Sequence, residues 1–324
     1  DPNLLVGRVR GENFKRLSQD PLNPLFNRSI QATYSPGSTF KLVNALVGLQ
    51  TGAITPESRF YCNGKASLPI ACSHSHYSPL ELIGAIEQSC NPYFWGVFKT
   101  TIEKTGGGDI HKGYNIWRQN VMSLGFGNYF DTDIPNQVKG NIPSSQYYDR
   151  YFGEKGWKAL TIRSLAIGQG EILITPLQLA NQAVVIANKG YYYPPHVVKS
   201  VQGKPTRWNK KQSSIDSQHF ETITKGMYRV FQGVSGTGRW YKLENIDICG
   251  KTGTVQNPHG KDHSLCIAFA PAENPKIAIS VVIENAGFGA TWAVPIASLM
   301  IEKYLTGKIS RTELEERMSQ ANLL

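Results

Sequence analysis

A serine and a lysine three residues apart are the pair in this sequence most suited to covalent chemistry. Ser38 and Lys41 begin a segment, 36–52, that Pro-Gly opens and Gly closes, and positions 42–49 are almost all apolar. This pattern predicts a buried helix with Ser38 at its amino end, where unpaired N–H groups favour negative charge. Lys41 shares a face with Ser38, and burial disfavours its ammonium form, which leaves a basic amine. The pair has the layout of an activated serine nucleophile.

Two further motifs follow in the chain: Ser89-Cys90-Asn91 and Lys251-Thr252-Gly253-Thr254. The first forms a turn between two predicted helices. The second lies in a predicted strand, where glycine lets a ligand come close and the lysine and threonines suit a carboxylate. Each motif alone is weak evidence, because a Ser-x-x-Lys pair arises by chance and a Ser-x-Asn turn usually caps a helix. A second Lys-Thr-Gly, at 104–106, ends a predicted helix and is expected to be a C-cap.

Apolar periodicity predicts the elements that must hold these motifs. Helices are predicted over 79–88 (where 78–81 form a capping box), 93–104, 177–188, 218–232 and 292–305. Strands are predicted over 246–255, 264–270 and 276–284. The other stretches are predicted to be an irregular lead-in (1–33), a loop or hairpin (53–77), long loops with short helices (107–160) and a short hairpin (190–215). Three antiparallel strands with a covering helix, after a mostly helical middle, indicate an α+β fold.

The composition is that of a globular protein with a basic surface. The 324 residues are 40% hydrophobic and 18% charged, and the net charge is +10. No compact Lys/Arg block or nucleic-acid motif accompanies that charge, so nucleic acid is not expected as a partner. No run of 18 apolar residues is present. The chain opens at Asp1 without an initiator Met or a signal peptide, so we expect a fragment whose membrane anchor, if it has one, lies upstream.

The three motifs occur in the order found in penicillin-binding proteins and serine β-lactamases. The sequence resembles the transpeptidase domain of class B penicillin-binding proteins, of the elongation type represented by penicillin-binding protein 2. The resemblance covers most of the chain and is carried by the stretches 34–41, 167–178, 250–254 and 284–297. It implies a penicillin-binding protein/serine β-lactamase-like fold, with an antiparallel sheet flanked by helices plus a mostly helical subdomain.

The resemblance also implies a single transpeptidase domain over 1–324. The helical subdomain would span about 42–240, and the sheet subdomain about 241–324 together with the N-terminal segment. Members of the family have two strands ahead of the segment that begins at Asp1. Those strands are absent here, so we expect the sheet to have an exposed edge.

By resemblance, each motif residue has a role in a serine acyl-enzyme reaction. Ser38 attacks the carbonyl of the penultimate D-alanine of a peptidoglycan stem peptide, and Lys41 is the base. Ser89 relays the proton to the leaving D-alanine and Lys251 polarises this relay, while Asn91 holds the amide of the acyl chain. The other predicted substrate-binding residues are Thr252, Gly253 and Thr254. The two threonine hydroxyls bind the terminal carboxylate, and the backbone N–H groups of positions 38 and 254 form the oxyanion hole.

The implied reaction ends when an amine of a neighbouring stem peptide resolves the acyl-enzyme as a 4,3-type crosslink, with no cofactor required. β-Lactams acylate Ser38 because they mimic D-Ala-D-Ala. The resemblance further implies cell-wall elongation and cell shape as the role, the periplasmic face of the bacterial inner membrane as the location, and a lipid-linked glycan polymerase as partner. A D,D-carboxypeptidase, a serine β-lactamase and a β-lactam-sensing receptor domain stay open as alternatives. A Ser-His-Asp triad is disfavoured, because no Gly-x-Ser-x-Gly elbow is present.

Cysteines and histidines crowd into the stretch of about 60–91. The candidate metal ligands are Cys62, Cys72, Cys90 and His76, with His74 as the alternative to His76. They would make a closed Cys3His site for a structural zinc ion, and some elongation-type members carry a metal at similar positions. A Cys62–Cys72 disulfide and free thiols stay open. A zinc ligand at Cys90 would fix the middle motif, whereas Cys249 and Cys266 are expected to be buried apolar residues of strands.

Overall fold

Helices surround a three-stranded antiparallel sheet in a computed structural model that describes residues 1–154 and 156–323. The α-helices are α1 (Arg10–Ser18), α2 (Arg28–Gln31), α3 (Lys41–Gln50), α4 (Leu82–Glu87), α5 (Asn91–Gly106), α6 (Ile110–Ser123), α7 (Ser145–Phe152), α8 (Pro176–Ala187), α9 (Ser217–Gln232), α10 (Ala293–Thr306) and α11 (Thr312–Ser319). The strands are β1 (Tyr191–Tyr192), β2 (Ser200–Val201), β3 (Lys204–Pro205), β4 (Lys211–Gln212), β5 (Cys249–Val255), β6 (His263–Ala270) and β7 (Ile277–Ile283).

The central sheet has the order β5-β6-β7, with every neighbouring pair antiparallel. Its register places Lys251 of β5 opposite Ile267 of β6. Helices α8, α9 and α10 pack against it. The three predicted strands and the predicted α+β class are confirmed, whereas the proposed subdomain boundaries near 42 and 241 stay a prediction.

Helix α3 forms the centre of the helical part, and every residue from Lys41 to Leu49 is buried. The predicted buried helix is therefore confirmed. Its one buried amide, Asn44, donates to the backbone oxygens of Leu165 and Ala166, each at 3.0 Å, and accepts from Trp117 Nε1 at 2.8 Å. These bonds satisfy a polar group that would otherwise be costly inside the core.

The prediction of an irregular lead-in over 1–33 was wrong, because this stretch contains α1 and α2. Helix α1 buries no residue, so the apolar face that would reveal such a helix is missing from the sequence. The segment after it is attached to the end of β7, where Arg28 and Tyr34 both bond to Glu284, at 3.0 Å and 2.9 Å.

Two further boundaries differ from prediction. Helix α4 begins three residues after the predicted start, because the hydroxyl of Ser78 accepts from the N–H of Cys62 instead of capping a helix, and Leu80 forms a bridge with Phe60. The stretch predicted as long loops with short helices contains α6, a longer helix of 14 residues that Asp109 caps.

The stretch predicted as one short hairpin forms two small antiparallel pairs, β1 with β4 and β2 with β3. The predicted helices that correspond to α5, α8, α9 and α10 are confirmed within one or two residues. Among the described residues, no helix combines the length and the apolar character needed to cross a lipid bilayer.

Candidate active site

A 3-10 turn, Gly37–Phe40, carries Ser38 into the start of α3 and against β5. Gly37 has a φ of +53°, which favours glycine. A Cβ atom there would lie 2.9 Å from the side chain of Val255 and 3.0 Å from the carbonyl oxygen of Thr254. The turn therefore needs glycine to approach β5 this closely, and that approach places Ser38 beside the third motif.

Lys41 connects the first motif to the second. Its side chain is completely buried, and its Nζ donates to the carbonyl oxygen of Ser89 at 2.7 Å and to Asn91 Oδ1 at 2.6 Å. The same Nζ lies 3.1 Å from Ser89 Oγ. The buried amine is thus held by three oxygens of one turn.

Lys251 connects the third motif to the same turn. It is also completely buried, and its Nζ lies 2.8 Å from Ser89 Oγ and 3.1 Å from the carbonyl oxygen of Thr252. Ser89 Oγ therefore contacts two amines. Since a hydroxyl has one hydrogen and two lone pairs, this oxygen can receive a proton from one amine and donate its own elsewhere. Ser89 holds this position with a φ of +55°, which is uncommon for a residue other than glycine.

Burial makes both amines weaker bases than lysine in water. It lowers the pKa of Lys41 to about 8, although the neighbouring side chains of Cys90 and Cys72 oppose the effect. Burial also lowers the pKa of Lys251 well below its usual value, and the positive charge of Lys41 lowers it further. A neutral amine is therefore available close to neutral pH, as a proton acceptor requires.

A groove of about 620 Å³ opens at these motifs. The predicted residues that line it are Ser38, Ser89, Asn91, Thr252 and Thr254. The two lysines lie buried beneath it, and a Cβ on Gly253 would lie 3.2 Å from the methyl carbon of Thr39 in the Ser38 turn. The structure thus brings all the predicted catalytic and substrate-binding residues to one place, and their roles stay predictions.

Other groove residues received no role from the sequence. Phe288 and Gln169 line the groove and lie in stretches that carried the family resemblance. Thr237 also lines the groove, and its Oγ1 lies 2.9 Å from Thr252 Oγ1. It belongs to no motif, so nothing in the sequence marked it.

The candidate metal ligands form a second cluster beside the groove. Ligand atoms of Cys62, Cys72, His76 and Cys90 all lie within 4.8 Å of one another. Tetrahedral zinc with bonds of about 2.0–2.3 Å would need slightly shorter separations, so a small contraction would suffice. All five cysteines of the chain are free thiols here, and no Cys62–Cys72 disulfide is formed.

The surroundings of the cluster fit a zinc ion. His76 Nδ1 lies 2.8 Å from the carbonyl oxygen of Tyr77, and its Nε2 lies 3.6 Å from Cys72 Sγ, so Nε2 is the ring nitrogen that would bind a metal ion. The thiol of Cys90 donates a hydrogen bond to Cys72. This bond stabilises the thiolate form of Cys72, which lowers its pKa, and the thiol form of Cys90, which raises its pKa. His74 also hydrogen-bonds to Cys72, but its ring pairs with the hydroxyl of Ser73 at 2.8 Å and lines the groove.

One amide joins the metal cluster to the groove. Asn91 accepts from Lys41 through Oδ1, and its Nδ2 donates to the carbonyl oxygen of Ala71 at 2.9 Å. Ala71 directly precedes the candidate ligand Cys72, and Cys90 directly precedes Asn91. The loop that carries the ligands is therefore attached to the middle motif at two points.

The second Lys-Thr-Gly sequence ends α5, as predicted. Gly107 rather than Gly106 is the C-cap, with a φ of +61°. Lys104 Nζ donates to the carbonyl oxygen of Gly52 at 2.7 Å. The residue has a structural partner and is not among those that line the groove.

Comparisons with known proteins agree with this geometry. The family model described as "Penicillin binding protein transpeptidase domain" matches residues 2–302. The peptidoglycan D,D-transpeptidase MrdA of Acinetobacter baumannii is 31% identical, over 90% of this chain and 46% of its own. The chain spans about half the length of the curated relatives it matches.

Solved structures share the architecture. The crystal structure of Pseudomonas aeruginosa PBP2 in complex with WCK 5153 has a TM-score of 0.78 and 29% identity, and the match covers 100% of this chain and 69% of that one. Helicobacter pylori PBP2, in its complex with MreC, has a TM-score of 0.76 and 25% identity, over 94% of this chain and 56% of that one.

Proposed function

The chain belongs to the penicillin-binding protein transpeptidase family, and from that premise we propose that it is the catalytic domain of a peptidoglycan D,D-transpeptidase of the elongation type. The observation that carries the proposal is the contact of both buried lysine amines with Ser89 Oγ, beneath a groove that Ser38 also lines. The domain would crosslink stem peptides through a serine acyl-enzyme and so serve cell-wall elongation and cell shape.

In the acylation step, Ser38 Oγ attacks the carbonyl carbon of the penultimate D-alanine, and Lys41 Nζ takes the hydroxyl proton. The backbone N–H groups of Ser38 and Thr254 stabilise the oxyanion. The peptide C–N bond then breaks, and the leaving D-alanine amine receives a proton through Ser89. Lys251 holds the Ser89 hydroxyl in place for this transfer and stabilises it electrostatically.

In the second step, an amine of a neighbouring stem peptide attacks the ester carbonyl carbon and loses a proton, the ester C–O bond breaks, and Ser38 Oγ takes up that proton through Lys41 as it leaves. Asn91 holds the amide of the acyl chain, and the hydroxyls of Thr252 and Thr254 bind the donor's terminal carboxylate in the first step. Thr254 Oγ1 accepts from the N–H of Gly289 at 3.2 Å, so its own hydrogen is free for a carboxylate. β-Lactams would acylate the same serine.

The cluster of three cysteines and His76 is proposed to hold a structural zinc ion. Bound zinc would crosslink the loop of about 60–80 to the middle motif, a structural contribution that takes no part in acyl transfer. Binding of zinc to Cys90 would fix the positions of Ser89 and Asn91, because Cys90 lies between them.

The location and partners are proposed from the relatives. The H. pylori PBP2 structure is a complex with MreC. We place the intact protein at the periplasmic face of the inner membrane, in an elongation assembly with a lipid-linked glycan polymerase. Its small-molecule partners would be stem peptides ending in D-Ala-D-Ala, and β-lactams.

The reaction class is tested by mass spectrometry after exposure to benzylpenicillin. We expect one covalent adduct, mapped to Ser38 by peptide analysis. The adduct should disappear in Ser38→Ala and persist in Ser35→Ala, a matched change three residues earlier. An adduct at another residue, or none in the wild-type chain, would refute the proposal.

The lifetime of that adduct separates the alternative enzymes of the same fold. A transpeptidase should hold the penicilloyl group for many minutes, because it does not position a water molecule to hydrolyse the ester. Rapid turnover of penicillin would instead identify a β-lactamase. Release of D-alanine from a D-Ala-D-Ala peptide without acceptor would identify a carboxypeptidase, and a stable adduct without crosslinking of any peptide pair would favour the sensor domain.

A further inference from the structure

Thr237 brings a hydroxyl from outside the three motifs to the third one. Its Oγ1 lies 2.9 Å from Thr252 Oγ1, and both side chains line the groove with Ser38. Thr252 is proposed above to bind the substrate carboxylate. A second hydroxyl at hydrogen-bond distance from it is placed to bind the same group.

Backbone contacts fix the loop that carries Thr237. The loop connects α9 to a short 3-10 turn, and Gly238 N donates to the carbonyl oxygen of Val230 at 2.9 Å. Gly236 lies so close to α9 that a Cβ would come within 2.3 Å of the Val230 oxygen. The loop is therefore packed tightly onto the end of the helix, and Thr237 has little freedom to move away from β5.

A buried carboxylate holds the loop from the other side. Glu87 Oε1 accepts from the N–H of Ser235 at 3.2 Å, and Glu87 Oε2 accepts from Arg229 Nε at 3.0 Å. The Glu87 side chain is only 4% exposed. Glu87 ends α4, two residues before Ser89, so the same helix end positions the middle motif and the loop of Thr237.

We infer that Thr237 is a further binding residue for the carboxylate of the donor peptide and of β-lactams, and that Glu87 is its positioning residue. This inference rests on the proposed function. Without ligand, one hydroxyl of the Thr237–Thr252 pair donates to the other. When a carboxylate enters, both hydroxyls turn to donate to it, since an ionised acceptor forms the stronger hydrogen bonds.

The test compares benzylpenicillin with its methyl ester, which lacks the negative charge. Second-order acylation constants are measured for the wild type, Thr237→Val and Thr237→Ser. Loss of a hydrogen bond to a charged group should lower the benzylpenicillin constant about 10- to 100-fold in Thr237→Val. The constant for the methyl ester should change less than about twofold. Thr237→Ser keeps the hydroxyl and should restore the constant for benzylpenicillin. The matched control is Thr291→Val, which removes the hydroxyl of another threonine that lines the groove and should leave the acid-to-ester ratio unchanged.

Glu87 is tested by the same ratio, which a general loss of stability would not move. Glu87→Ala should lower the acid-to-ester ratio as Thr237→Val does, and should add little in the Thr237→Val background. Glu87→Gln keeps an acceptor for Ser235 and should retain most of the ratio. An equal loss for both compounds in Thr237→Val, or no loss, would overturn the inference. A wild-type chain that neither compound acylates would refute the proposed function instead.

Discussion

The amine of Lys251 lies 2.8 Å from the hydroxyl oxygen of Ser89, a residue 162 positions earlier in the chain. The amine of Lys41, which belongs to the first motif, lies 3.1 Å from the same oxygen. The three groups form one buried network, and the proton held by any member depends on the other two. Substitutions within this network should therefore not act independently.

The first prediction concerns this network. Ser89→Ala and Lys251→Met should each lower the acylation constant for a fluorescent penicillin by about 10²- to 10³-fold, the usual size of a proton-transfer contribution. The double variant should lose little more than the worse single variant, because either change already breaks the relay. Stopped-flow fluorescence measures the constants. Lys104→Ala, in the other Lys-Thr-Gly, should behave as wild type, and fully additive losses would contradict a shared relay.

The second prediction is a pH dependence. Because burial lowers the pKa of Lys41 to about 8, its ammonium form dominates below that pH and its amine above it. If the neutral amine is the base, the acylation constant should rise about tenfold per pH unit well below the pKa and level off above it. Rates between pH 6 and 9 would show this, with unfolding followed in the same buffers. A flat profile, or a fall with rising pH, would exclude Lys41 as the base.

The third prediction concerns metal. Elemental analysis of the purified chain should find one zinc per molecule, and a chelator should lower the melting temperature by more than about 5 °C, because zinc binding contributes to folding free energy. Cys72→Ser should lose the metal, whereas Cys249→Ala, which changes a buried cysteine outside the cluster, should keep it. Absence of stoichiometric metal, or a Cys62–Cys72 disulfide in peptide mapping, would contradict the zinc site.

The fourth prediction concerns the core beneath the site. Asn44→Leu would leave the backbone oxygens of Leu165 and Ala166 and the indole N–H of Trp117 without their partner. We expect the free energy of unfolding to fall by about 3 kcal/mol or more. Thr51→Ala, at the end of the same helix, should cost no more than about 1 kcal/mol. Urea denaturation measures the free energy of unfolding of both variants. Equal losses in the two would contradict a larger contribution from the hydrogen bonds of Asn44.

The elements that place the motifs were largely predictable, because each has a local signal. Thr175 caps α8 with a complete capping box, and the apolar strands around Lys251 pair as expected. Only short helices were predicted where α6 lies, although Tyr114, Trp117 and Val121 form a buried face at helical spacing. Aromatic and glycine content suggested loops there, and tertiary packing determined the helix.

The site was predictable where chemistry needs a fixed local spacing, as for Ser38 and Lys41. Thr237 could not be predicted, because its position depends on Glu87, which is 150 residues earlier in the chain and shows no pattern with it. The choice between His74 and His76 also required the loop conformation, since both lie within four residues of Cys72. Long-range packing, rather than residue type, decides such positions.

Asn91 uses the two ends of one amide on two different neighbours, the amine of Lys41 and the backbone of Ala71. Damage to the loop of Ala71, by proteolytic nicking or thiol oxidation, would therefore disturb the contacts of the buried Lys41 amine directly. We expect such a molecule to stay largely folded and yet to react more slowly with penicillin. The amount of folded protein would then overstate the amount that reacts with penicillin.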